Sequence, residues 1–145
     1  MKEFVVNKKI DIKAELAEVW NALTDPEMTK KYFFNSKIYS DFKAGSEITF
    51  KGKMFLLINF EMHGKILEID PPRLLKYNLK NSKSSSISVI TDTLTYLKGI
   101  TTVTISDNVG SGKNAEKRYE KSNKGWDKIL KGLKELVENR KGNNL

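Results

Sequence analysis

Cysteine is absent from the 145 residues and His63 is the only histidine. Disulfide staples, thiolate chemistry and a His/Cys metal cluster are therefore excluded from the start. Arginine is nearly as scarce. Apart from Arg73, Arg118 and Arg140, the cations behind the formal charge of +8 are lysines. Phosphate and base recognition favour the planar guanidinium fork. The lysines also alternate with Glu and Asp, as on a solvated surface, so no nucleic-acid partner is expected. No window approaches the roughly 18 apolar residues that mark a membrane span, and Met1-Lys2-Glu3-Phe4-Val5-Val6-Asn7 lacks the apolar run of a signal peptide. A cytoplasmic protein with no membrane partner is the expectation. Neither a phosphate-cradling glycine loop nor a nucleophile elbow nor a paired-carboxylate motif occurs, so no cofactor is expected.

What is present is organised around one long helix, expected over residues 114–139. Tyr119, Trp126, Ile129, Leu130, Leu133 and Val137 recur at three- and four-residue steps on an otherwise charged rod. Gly125 and Gly132 lie seven apart on one side of it. They allow either close packing of the helix on its neighbours or room for a guest beside Trp126.

Upstream, Phe4–Ile12 reads as a strand, and Leu16, Val19, Trp20 and Leu23 as the apolar stripe of a short helix. Asp25 as N-cap and Pro26 at the first helical position open a second short helix through about Tyr32. Tyr32-Phe33-Phe34 is either a packing knot or the rim of a pocket. After a turn over 41–46, Glu47–Lys51 alternates as a strand that Lys51-Gly52-Lys53 should close. Met54–Ile69 reads as at least one long strand bent or bulged near Gly64, and Asp70-Pro71-Pro72-Arg73 as a turn. Leu74–Lys80, residues 86–97 and 100–107 follow as strands, the last two joined by a hairpin at Leu97-Lys98-Gly99. Residues 81–86 read as a loop and 141–145 as a fraying end. One α+β domain over residues 1–145 is expected, with a meandering antiparallel sheet curved about the last helix.

Three stretches carry a family resemblance. They are Val19-Trp20-Asn21-Ala22-Leu23-Thr24-Asp25-Pro26-Glu27, the run from His63 through Asp70-Pro71-Pro72-Arg73 to Tyr77, and Gly125-Trp126-Asp127-Lys128-Ile129-Leu130. They resemble the signatures of the heat-shock-protein-90 ATPase-activator-like branch of the START and birch-pollen-allergen superfamily, the helix-grip fold. The resemblance implies six or seven strands gripping the C-terminal helix, with an apolar cavity between them. It supplies no catalytic motif. The branch usually carries an apolar residue where Asp92 stands, in phase with Ile90 and Leu94. If that face is inward, Asp92 is a carboxylate with a raised pKa; a local shift would turn it outward.

Three functions compete. In the first, the cavity holds a hydrophobic small molecule such as a lipid, a sterol or an aromatic metabolite. Its site would be drawn from Trp20, Phe33, Phe50, Phe60, Met62, Tyr77, Asp92, Leu94, Trp126 and Ile129, with Asp92, Tyr77 and Arg73 as candidate polar groups. In the second, implied by the resemblance, the protein contacts a chaperone ATPase. In the third it is a cyclase or hydrolase, for which only Asp92 with Tyr77 or His63 offers an acid–base pair. His63, in phase with Lys65 and Leu67, reads better as a surface residue. A monomer or weak homodimer is expected.

Overall fold

The computed structural model describes residues 2–54, 58–81 and 86–143. Phe55, Leu56 and Leu57 of the apolar stretch, most of the serine-rich loop and the last two residues lie outside it. The element order is β1 (Phe4–Ile12), α1 (Leu16–Thr24), α2 (Pro26–Tyr32), β2 (Ser36–Ser40), β3 (Glu47–Met54), β4 (Ile58–Asp70), β5 (Leu74–Asn81), β6 (Ile87–Leu97), β7 (Ile100–Gly110) and α3 (Ala115–Asn143).

All seven strands form one antiparallel sheet in the order β1-β7-β6-β5-β4-β3-β2. The chain thus starts on one edge, crosses through α1 and α2, and resumes on the other edge. Each strand presents alternate residues to a single covered face: Val6 and Ile12, Ile48 and Phe50, Leu75, Tyr77 and Leu79, Ile90 and Leu94, Val103 and Ile105. α3 lies across that face. Its Trp126, Ile129, Leu130, Leu133 and Val137 are all buried, as the helical spacing requires. Polar contacts hold the helix along β1, where Lys8 Nζ meets Asp127 Oδ1 at 2.9 Å and the backbone N–H of Lys13 donates to Glu138 Oε2 at 2.9 Å.

Local signals account for most boundaries. Asp25 caps α2 by accepting from the Glu27 N–H at 2.9 Å, with Pro26 next in the chain. The β6–β7 hairpin turns through Lys98 and Gly99, both at positive φ (49° and 81°), as a two-residue primed turn requires.

Four expectations are corrected. β2 falls in a segment with no strand signal beyond its five residues, and exists because it pairs with β3 along its whole length. β3 does not close at Gly52, which is in register with both Ser36 and Phe60 and is held in the sheet from two sides. The bulge in β4 lies between Ile66 and Glu68, which leaves Leu67 exposed. Gly64 instead marks a close approach: a Cβ there would sit 1.7 Å from the Asn78 carbonyl oxygen. The last helix continues past 139 to Asn143.

Gly64→Ala should therefore force β4 and β5 apart. A loss of about 2 to 3 kcal/mol is expected by urea denaturation; a change below about 0.5 kcal/mol, the range of ordinary surface substitutions, would show that the strands yield freely.

Candidate ligand-binding site beneath the terminal helix

Residues 90, 92 and 94 of β6 point to the covered face, so Asp92 faces inward, with 4 % of its surface exposed. Burial pushes its carboxyl up to about 7, helped by the negative charge of Asp107. Its Oδ1 has no hydrogen-bond partner among the described residues.

Asp107 lies on the same face of β7. Asp92 is in register with Ile105 and Asp107 with Ile90, which makes the two acids diagonal neighbours, with Cα atoms roughly 7 Å apart. Asp107 Oδ2 accepts from the Trp126 indole Nε1 at 2.8 Å and from Ser122 Oγ at 2.6 Å, whereas its Oδ1 is also without a partner. One acid is thus half satisfied by α3, and the other faces the interior unaided.

Aromatic rings from β3, β5, α3 and the residue after α2 surround Asp92. Phe33 stacks on Phe50 at 4.7 Å between centroids and meets Trp126 edge-on at 5.8 Å, and Phe50 tilts against Tyr77 at 6.1 Å. Burial raises the Tyr77 phenol well above its ordinary range, with Asp92 and Asp107 adding to the effect, so it stays neutral. The Tyr32 hydroxyl is similarly raised by burial and donates to the Ala22 carbonyl at 2.7 Å.

Beside Asp92 and the rings lies a cavity of about 10 Å³, which Asp107 does not line; it has room for about one water-sized group. Phe33, Phe50, Tyr77, Asp92, Trp126 and Ile129 line it, as do Tyr32, Leu75, Ile105, Leu130 and Leu133. The other proposed site residues lie elsewhere. Trp20 is half-buried against the core, Leu94 is buried in the sheet away from the cavity, and Phe60 and Met62 are partly covered on β4. Arg73 is exposed at the β4–β5 turn. His63 is exposed, with Nε2 2.8 Å from Glu61 Oε2.

Asp107 is not among the site residues expected from the sequence, although it closes the strand expected over 100–107 and shares one face by alternation with Val103, Ile105 and Val109.

The two helical glycines serve close packing. A Cβ on Gly132 would lie 3.0 Å from Tyr32 Cβ, and one on Gly125 would meet the Phe34 ring at 3.5 Å. Phe34 and Asn35 both hold positive φ (49° and 56°) where α2 hands over to β2, and the Phe34 ring is half exposed. A separate open depression of about 490 Å³ lies by Ile87, Gly110 and Arg118. There the Arg118 guanidinium is engaged by the carbonyls of Val109, Ser111 and Lys113. Among the described residues, no three His, Cys, Asp or Glu side chains gather as metal ligands, and no helix is long and apolar enough to cross a membrane.

A seven-stranded antiparallel sheet closed over a long C-terminal helix, with two short helices after the first strand, defines a helix-grip protein. The chain belongs to the family described as activator of Hsp90 ATPase homolog 1-like protein, whose profile matches residues 13–138. It is similar to the solution structure of ChR145 from Cytophaga hutchinsonii, at 30% identity and a TM-score of 0.76 over 98% of this chain and 99% of that one. NE0264 from Nitrosomonas europaea shares the fold at 20% identity, with a TM-score of 0.79 over 96% and 97% of the two chains. DynU16, a putative protein in the dynemicin biosynthetic locus, shares it at 18% identity and a TM-score of 0.78, over 94% of this chain and 48% of that one. No curated protein matches.

Two outcomes follow from the acids. The folded protein retains the Asp92 proton up to about pH 7, whereas the unfolded chain releases it near pH 4. The folded state therefore binds more protons across that window, and stability falls as pH rises through it, by on the order of 4 kcal/mol. Urea titrations at pH 4 to 8 should show this decline, and Asp92→Asn should flatten it and exceed the wild type in stability at pH 8. Trp126→Phe keeps a ring but removes one donor from Asp107. It should lose about 1 to 3 kcal/mol, and unchanged stability would mean that the indole hydrogen bond contributes nothing.

Proposed function

We propose that this protein is a small-molecule carrier or sensor that holds a largely apolar guest between the sheet and α3. The observation that supports the reading most directly is the unpartnered, buried Asp92 carboxylate facing a cavity walled by Phe33, Phe50, Tyr77 and Trp126. Apolar walls with a few orienting polar groups are the usual composition of such sites. A neighbour encoded in a biosynthetic locus is in keeping with a small organic guest.

A cavity of about 10 Å³ admits only the smallest part of a guest. A larger body has to displace a side chain, and Phe33 is the ring placed to move. It lines the cavity, and it leads directly into the half-exposed Phe34 and the left-handed turn at Phe34 and Asn35. The proposed site is therefore Phe33, Phe50, Tyr77, Asp92, Trp126 and Ile129, joined by Tyr32, with Asp107 next to Asp92 on the neighbouring strand.

The family description also names a chaperone ATPase. A carrier would leave that ATPase rate unchanged, so the rate is measured with the same preparation. A panel of lipids, sterols and aromatic polyketides should contain a member that raises the melting temperature. At 100 times its dissociation constant it contributes about 2.7 kcal/mol. Native mass spectrometry should then show that member bound one to one. A panel with no stabilising member, together with an accelerated chaperone ATPase, would overturn the carrier reading.

A further inference from the structure

Charge balance in the interior is uneven. Asp92 and Asp107 are 4 % and 5 % exposed and share one face of the sheet, yet no Lys, Arg or His is among the described residues lining the cavity. Neither acid has a salt bridge among the described residues. The groups that do face them are neutral. Tyr77 presents a phenol from β5, the Tyr32 hydroxyl from α2 is already engaged by Ala22, and α3 offers the Ser122 hydroxyl and the Trp126 indole, both directed at Asp107 Oδ2. Two carboxylate oxygens, Asp92 Oδ1 and Asp107 Oδ1, are left without donors.

Buried charge without a partner is strongly unfavourable, and the protein supplies no cation to relieve it. A neutral donor such as an alcohol would satisfy hydrogen bonds but not the charge. A metal cation would need several more oxygen ligands than two acids provide, and among the described residues no third acid, His or Cys joins them. A protonated amine brings both charge and up to three donors. Its ammonium head is about the size of a water molecule, which is what the cavity holds.

We infer that Asp92 is the recognition group for the ammonium head of an apolar amine, with the negative charge of Asp107 on the neighbouring strand adding to the attraction and the body of the amine lying along the Phe33, Phe50 and Trp126 rings. This rests on the interior site proposed above and specifies its ligand class. Asp92 Oδ1 accepts from the ammonium, while the rings meet the hydrocarbon part and contribute cation–π attraction.

Amine binding requires an ionised Asp92, so a proton leaves as the amine enters. Below pH 7 that proton has to be displaced, and affinity falls by about tenfold from pH 8 to pH 6.

The test is calorimetric titration of benzylamine and benzyl alcohol, matched in shape and differing in charge. Wild type, Asp92→Asn and Phe33→Ala are titrated at pH 6 and pH 8. Phe33→Ala removes the ring that a guest must displace, so the head-group preference can be read even where the wild type binds weakly. The expected result is at least a tenfold preference for the amine at pH 8, larger total affinity in Phe33→Ala, proton release on binding at pH 6 and loss of the preference in Asp92→Asn. Equal affinity for amine and alcohol, or an amine preference that survives Asp92→Asn, overturns the amine assignment and leaves the interior site standing. Binding of neither compound to either the wild type or Phe33→Ala overturns both.

Discussion

The hydrogen bond from the Trp126 indole to Asp107, with Ser122 beside it, fixes α3 on the sheet. An acid buried to that depth is unfavourable unless donors reach it. Ser122 and Trp126 are four residues apart, so both project from one side of the helix onto the same oxygen. Turning α3 by a single residue, about 100°, would withdraw both donors together. The rest of the helix inherits its rotation from that constraint. Ile129, Leu130, Leu133 and Val137 are carried into the core, and the two glycines are brought against Tyr32 and Phe34, where a side chain at Gly132 would press on the Tyr32 Cβ. The indole therefore sets the angular register, and the apolar stripe supplies most of the burial.

Asp92 and Asp107 are the same chemical group on neighbouring strands, and their environments separate them. Asp107 sits under the helix and receives two donors on one oxygen. Asp92 sits where the aromatic wall begins and receives none at Oδ1. The helix can reach only one of two diagonal positions with its short polar side chains, so the second acid is left to the interior. Its raised pKa is the visible consequence: protonation is the response available to a carboxyl group that has neither solvent nor donor.

Periodicity made the scaffold readable before any coordinates. β1 and α2 fall on the residues their local signals indicated, because alternation and the Asp25-Pro26 cap are encoded within each segment. The inward Tyr77 and Trp126 followed from the same counting. What could not be read depends on partners distant in sequence. β2 is a strand because β3 needs a neighbour, and Gly64 is a glycine because the Asn78 carbonyl, on the next strand, passes over it. Cavity lining was harder still. Phe60 and Met62 share the inward phase of Ile66 but are only partly covered, and neither lines the cavity, although Met62 stands directly across from Phe50, which does. The direction of Asp92 stayed open because alternation fixes a face only when no bulge intervenes, and one does occur in this sheet, at Leu67.

A nearly filled interior and an unsatisfied acid belong together in the proposed function. Phe33 occupies its place through ring contacts with Phe50 and Trp126, each worth about 0.5 to 1.5 kcal/mol beyond burial. It is tethered to Phe34 and Asn35, whose left-handed backbones carry on the order of 1 to 2 kcal/mol of strain each. An aromatic guest that takes its place re-forms similar ring contacts, so the apolar exchange is close to neutral. The balance then falls to what the displaced ring could never provide, a donor for Asp92 Oδ1. Affinity in such a site is governed by the polar head of the guest, and hydrophobic area decides only whether the body fits.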